Sequence, residues 1–250
     1  MRRFCISKLV CVWMLLLLGL GLGGVSPAKI DGNPANDLVA LINGKIRAAS
    51  KLPALRNSAG LGCMALQYIS ECMATGAAAA CSSDNTVACQ QPPEAHITEV
   101  YAANCGVELP TVDVISGRLI GCHRDRAGPD DALQALLAPA SGSATGNSTG
   151  ALSVIRGKDH TQVGAGFDRA HRRGPFFWCL LFSNGSANST FLLEAGGKGI
   201  RQTHGCFSAP DRASCSNAAA PTRPRSLVIA TTAAALLLLL LLFFHLHLSY

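Results

Sequence analysis

Apolar positions recur every three or four residues in two early stretches. In NDLVALINGKIRAASKLPAL, Leu38, Leu41, Ile42 and Ile46 fall on one helical face, with Asn36 or Asp37 as the cap, and Arg47 to Pro53 breaks the pattern. In SAGLGCMALQYISECMATG the repeat runs through Leu61, Met64, Ala65, Tyr68 and Cys72 and predicts a second helix. Cys63 and Cys72 stand nine residues apart, about half a helical circumference out of phase, so they should have different partners. AAAACSSDNTVACQQPPEA has no period and reads as a loop tied down by Cys81 and Cys89. HITEVYAANCG predicts a short helix ending at Gly106. PDDALQALL predicts another, capped at Asp130 or Pro129 and stopped by Pro139, and PASGSATGNSTG reads as a flexible connection.

The period then changes. DHTQVGAGFDR and PFFWCLLFS are short, rich in β-branched and aromatic residues, and separated by AHRRG, which predicts an antiparallel hairpin. TFLLEAG is a candidate third strand. Helices first and strands later, closed by disulfides, make an α+β domain the expectation.

Both ends of the chain lie outside these patterns. The start, MRRFCISKLVCVWMLLLLGLGLGGVSP, places two arginines before an apolar run and small residues, the order of a secretory signal peptide, here over 1–27. At the other end, small residues precede Arg223 and Arg225 and an apolar stretch from Leu227 to Phe244, the layout of a GPI-attachment signal. A spanning helix would carry Lys or Arg on its cytoplasmic side, and HLHLSY has neither. The expected division is a domain over 28–200, a stalk over 201–216 and a removed propeptide over 217–250. Ser216 is the chosen attachment residue, with Ser214 and Asn217 as alternatives. The expected location is the outer leaflet of the plasma membrane, with the membrane reached through the lipid.

Processing alters the charge and the cysteine count. The net charge of +6 includes Arg2, Arg3, Lys8, Arg223 and Arg225, so the mature domain is close to neutral and carries no nucleic-acid footprint. RAHRR, Arg169 to Arg173, is the one basic cluster and reads as a solvated hairpin loop. Of eleven cysteines, Cys5 and Cys11 leave with the signal. In an oxidising compartment Cys63, Cys72, Cys81, Cys89, Cys105, Cys122, Cys179 and Cys206 are expected in disulfides, with Cys215 the odd one. Without a tight Cys-x-x-Cys pair, zinc binding is the weaker use of such a set. Three sequons mark Asn147, Asn184 and Asn188 as glycosylation sites on loops.

Familiar catalytic layouts are missing from the sequence. It has no Gly-x-Ser-x-Gly elbow turning from a strand into a helix, the letters GNSTG at Gly146 to Gly150 falling inside the connection, no His-Glu-x-x-His helix and no Gly-rich loop set between a strand and a helix. Cys122-His123 is the sole adjacent Cys–His pair, and disulfide use of Cys122 outweighs a nucleophilic role.

The order of these segments carries a resemblance. LINGKIRAASKLPAL is similar to the opening of the CAP superfamily, and DHTQVGAGF with GPFFWCLLFS looks like its His-Thr-Gln strand and hairpin partner. A plant subgroup of GPI-anchored, SCP-like proteins is the nearer likeness, with two cysteines bracketing CGVELPTVDVISGRLIGC. The resemblance spans about Asp37 to Leu193. It implies an α-β-α sandwich around a central antiparallel sheet, disulfide-stabilised, with no accepted enzyme activity.

Better-known CAP proteins hold two His and two Glu in a cleft that can take a divalent metal, and some bind sterols or other lipids. By that likeness His160 stands at the place of the second His and Glu99 near an expected Glu. His96, three residues before Glu99, shares its helical face. No second Glu stands at the expected place upstream of His160, where PDDALQALLAPAS offers only Asp130 and Asp131. His160, Glu99 and His96 are therefore the ligand-binding candidates, with no catalytic residue, resident metal or cofactor expected. The implied function is a non-enzymatic binding or wall-associated module for a sterol, another lipid or a cell-wall ligand, with a metal-assisted hydrolase as the remaining enzymatic alternative.

Overall fold

The run FFWCLLFS forms the innermost strand of the sheet. In the computed structural model, which describes residues 32–74, 76, 81–108, 115–137, 148–170, 174–197, 200, 204–210 and 215, all eight residues of β4 (Phe176–Ser183) are buried. A strand covered on both faces reads as a continuous apolar run. Phe177, Cys179 and Leu181 enter one core, while Phe176, Trp178, Leu180 and Phe182 enter the other. The expected signal peptide over 1–27, Asn147, His171 to Arg173, Ser214, Ser216, Asn217 and the apolar tail lie outside the described residues. Among the described residues no helix is long and apolar enough to cross a membrane.

β4 pairs antiparallel with β3 (Gln162–Arg169) on one side and β2 (Ile115–His123) on the other. β1 (Arg56–Asn57) joins the start of β3 in parallel, and β5 (Cys206–Phe207) joins its later half antiparallel. The expected hairpin is present, but the sheet is mixed rather than purely antiparallel, because the chain reaches β1 from the first helix and runs alongside β3. The domain is α+β.

Helix α1 (Pro34–Leu41) continues into a π-helical segment, Ile42–Arg47, and buries Leu38, Ile42 and Ile46. Its cap is Asn33, whose side chain accepts from the Ala35 and Asn36 amides, rather than the expected Asn36 or Asp37. Pro34, which has no amide hydrogen to satisfy, takes the first helical position and starts the helix early. Helix α2 (Ala59–Ala74) packs on β3. The contact depends on glycine: a Cβ on Gly164 would lie 2.1 Å from the Gly62 amide nitrogen, and one on Gly166 2.5 Å from that of Leu66.

Helix α3 (Glu94–His96) runs through a π segment, Ile97–Tyr101, to a last turn at Ala102–Asn104. It joins α2 in one core. Helices α4 (Pro129–Leu137) and α5 (Ser148–Ile155) cover the other face with α1. The sequence pattern missed α5 and β2. TFLLEAG, the candidate strand, makes one bridge between Leu193 and Val107 and a 3-10 turn at Glu194–Gly197. Cys206 to Ala209, within the expected stalk, are buried as part of the sheet edge.

Four disulfides join Cys63–Cys105, Cys72–Cys89, Cys81–Cys122 and Cys206–Cys215. Cys63 and Cys72 do have different partners. The odd cysteine is Cys179, not Cys215. β5 carries Cys206 back to the chain end, within reach of Cys215, whereas Cys179 is sealed on the central strand. Burial pushes its thiol pKa up and removes its thiolate. A secreted domain over 28–216 should therefore show no maleimide-reactive thiol when native and one, on Cys179, when unfolded without reductant. A native-state label would contradict the pairing.

Candidate functional site

His160 lies just before β3 and stacks on Phe182, ring centroids 5.0 Å apart. Its Nε2 is 2.7 Å from the Val154 carbonyl oxygen, which can only accept, so Nε2 carries the proton. Nδ1 is then an acceptor, and the Ser116 hydroxyl, 2.7 Å away, donates to it. Two glycines make room for the ring: a Cβ on Gly157 would fall 2.4 Å from Nε2, and one on Gly117 2.7 Å from Val154 Cγ1.

Burial holds the His160 pKa below the usual imidazole value. The Val154 hydrogen bond and Asp159 oppose that shift, and the Arg47 guanidinium adds to it. Arg47 is itself fully buried and donates to the carbonyls of Pro53, Ile155 and Gly157. A folded-state pKa below the unfolded value of ~6.5 gives stability that is complete above that pH and is lost as pH falls through the folded value. Unfolding free energy measured between pH 7 and pH 5 should therefore decline more in wild type than in His160→Gln. Equal slopes would remove His160 as the cause.

His96 belongs to a different cluster. Its Nε2 donates to Glu71 Oε2 at 2.9 Å, and Tyr101 donates to the same oxygen at 2.8 Å. Burial would raise the Glu71 pKa, but these hydrogen bonds outweigh it and hold the carboxylate below its ordinary range. The His96 ring meets the Tyr101 ring edge-on. Tyr101 and Phe182 belong to opposite cores, so His96 and His160 lie on opposite sides of the sheet. Glu99 is exposed on the π segment. The three candidates are thus not brought together, and among the described residues no three His, Cys, Asp or Glu side chains gather as metal ligands would.

Sequence reasoning missed the residues that complete each pair. Glu71 had a readable signal, since it is the only charged residue in α2. Ser116 had none. It is the extra residue of a β-bulge, where Ile115 faces Ser183 and Gly117 already faces Phe182. Bulges recur beside active sites because they re-aim a side chain. Ser116 is exposed and lines a cleft of about 170 Å³ with Glu94, Ile97, Ile115, Gly117 and Arg118. Arg118 is steadied by donation from Nη1 to the Pro92 carbonyl at 2.6 Å.

Compared with known proteins, the chain matches no protein-family model and no curated protein sequence.

Proposed function

We propose that this chain is a glycosylated, GPI-anchored surface protein of the outer leaflet. Its CAP-like α-β-α domain works as a binding or wall-associated module. The observation that carries this reading is the engagement of the candidate histidines in separate pairs, Ser116–His160 and Glu71–His96, rather than on one metal. Four disulfides fit an oxidising extracellular compartment. Asn184 and Asn188 are both exposed, as glycan acceptors must be.

The Cys206–Cys215 bridge supports attachment at Ser216 or Asn217 over Ser214, since cleavage after Ser214 would discard Cys215. The cleft beside Ser116 has about 170 Å³. Clefts enclosing a drug-sized ligand run to roughly 300–1,000 Å³. That size favours one ring or short chain of a wall ligand or lipid over a whole sterol in this cleft.

The test is expression in plant cells followed by phosphatidylinositol-specific phospholipase C. The released domain is then titrated against sterol-containing vesicles and wall oligosaccharides. Release with loss of 217–250 and saturable binding to one ligand class are expected. A retained C-terminal tail peptide would sink the anchor, and binding to neither class would sink the module.

A further inference from the structure

We infer that Ser116 is a nucleophile activated by His160, able to take the acyl group of a carboxylic ester. This goes beyond the binding reading and departs from the expectation of a domain without enzymatic activity.

An activated hydroxyl needs a base at hydrogen-bond distance and a third group that orients the base. Ser116 Oγ donates to Nδ1 at 2.7 Å, and Nε2–H donates to the Val154 carbonyl at 2.7 Å. The same logic, with an amide oxygen as the orienting acceptor, operates in Cys-His-Asn sites. The imidazole is held by stacking on Phe182 and by the space left at Gly157 and Gly117, so its orientation is built in. Its lowered pKa keeps it neutral and able to accept a proton near pH 7.

Exposure divides in the sense a nucleophilic site requires. Ser116 is open to solvent on the bulge of an edge strand, while His160 is 8% exposed behind it. The substrate class follows from the chemistry of an activated hydroxyl open to solvent, an ester carbonyl that reaches the bulge from outside; the nearby cleft takes no part, because its apolar wall, Ile97 and Ile115, belongs to the core on the side of the sheet away from His160.

The step balances without an added oxidant or reductant. Ser116 Oγ attacks the ester carbonyl carbon as its proton passes to Nδ1. The Oγ–C bond forms and the carbon–alkoxy bond breaks. The leaving alkoxide takes the proton from Nδ1, and the alcohol departs. Water, deprotonated by the same nitrogen, then cleaves the acyl-serine to a carboxylic acid and restores Ser116.

The experiment treats the secreted, glycosylated domain with a fluorophosphonate probe and locates the adduct by peptide mass spectrometry. Labelling on Ser116 is expected, lost in Ser116→Ala and slowed about 100-fold or more in His160→Gln, as removal of a general base predicts. Ser116 is exposed, so its alanine variant keeps the fold. Should His160→Gln fail to fold, the wild-type labelling rate still decides: it must rise with pH through a single ionisation below ~6.5 and then level off. No adduct, an adduct elsewhere, or a rate flat with pH would overturn the assignment and leave the binding reading untouched.

Discussion

Gly164→Val is expected to leave the domain largely unfolded at room temperature. The new Cβ would sit 2.1 Å from the Gly62 amide nitrogen, 2.3 Å from the Leu61 carbonyl carbon and 2.5 Å from Leu61 Cβ. Two of those atoms are backbone, so no rotamer change relieves the clash, and α2 must lift off β3. Overpacking a core costs about 1–3 kcal/mol when side chains can give way, and more when they cannot. Against a total stability of roughly 5–15 kcal/mol, that loss is large. Gly44→Ala is the control. Nothing lies within 4 Å of its new Cβ, and the position is helical, so it should be neutral or stabilising by up to ~1 kcal/mol. Urea midpoints for the two variants should move in opposite directions or differ several-fold. Equal midpoints would mean that α2 does not lie on β3 as described.

Removing the Cys81–Cys122 disulfide as a double alanine variant is expected to lower stability by about 4 kcal/mol. The bridge spans 41 residues and ties the loop after α2 to the edge strand β2, with both cysteines fully buried. Chain-entropy arguments give about 4 kcal/mol for a closed loop of that length and about 3 kcal/mol for the nine-residue separation of Cys206–Cys215. Guanidinium unfolding of the two double variants should rank them in that order. A reversed ranking would show that the Cys206–Cys215 clasp does more than shorten the free chain, for instance by holding β5 on β3.

What the sequence disclosed follows from how each element is buried. β4 was legible because a strand covered on both faces must be apolar throughout. α2 was legible because its buried positions repeat at helical spacing. β2 was not, since it lies at an edge and mixes Arg118, Gly117 and Gly121 with its apolar residues, so no alternation survives. Gly121 is dictated by α4, whose Ala135 backbone would lie 2.7 Å from a Cβ there, a demand no local pattern reveals. α5 begins at Ser148, inside a sequon and at the end of a Ser/Gly/Thr-rich stretch whose composition predicts a connection. At the candidate site, His160 could be singled out by its place in a motif. Its partners Ser116 and Val154 come from a bulge and a helix that meet it only in three dimensions. The choice of odd cysteine failed for a related reason: closeness to the chain end suggested Cys215, whereas burial on β4 decides for Cys179.

That buried thiol also bears on how the chain oxidises. The nine cysteines of the proposed mature domain could leave any one unpaired, and each choice leaves on the order of a hundred ways to pair the other eight. With α2 packed over the face of β4 that carries it, Cys179 lies out of reach of oxidant and of other thiols, and about eight-ninths of all arrangements are incompatible with the fold. The core then acts as a check on disulfide exchange: a bridge to Cys179 can persist only while α2 stands off β4.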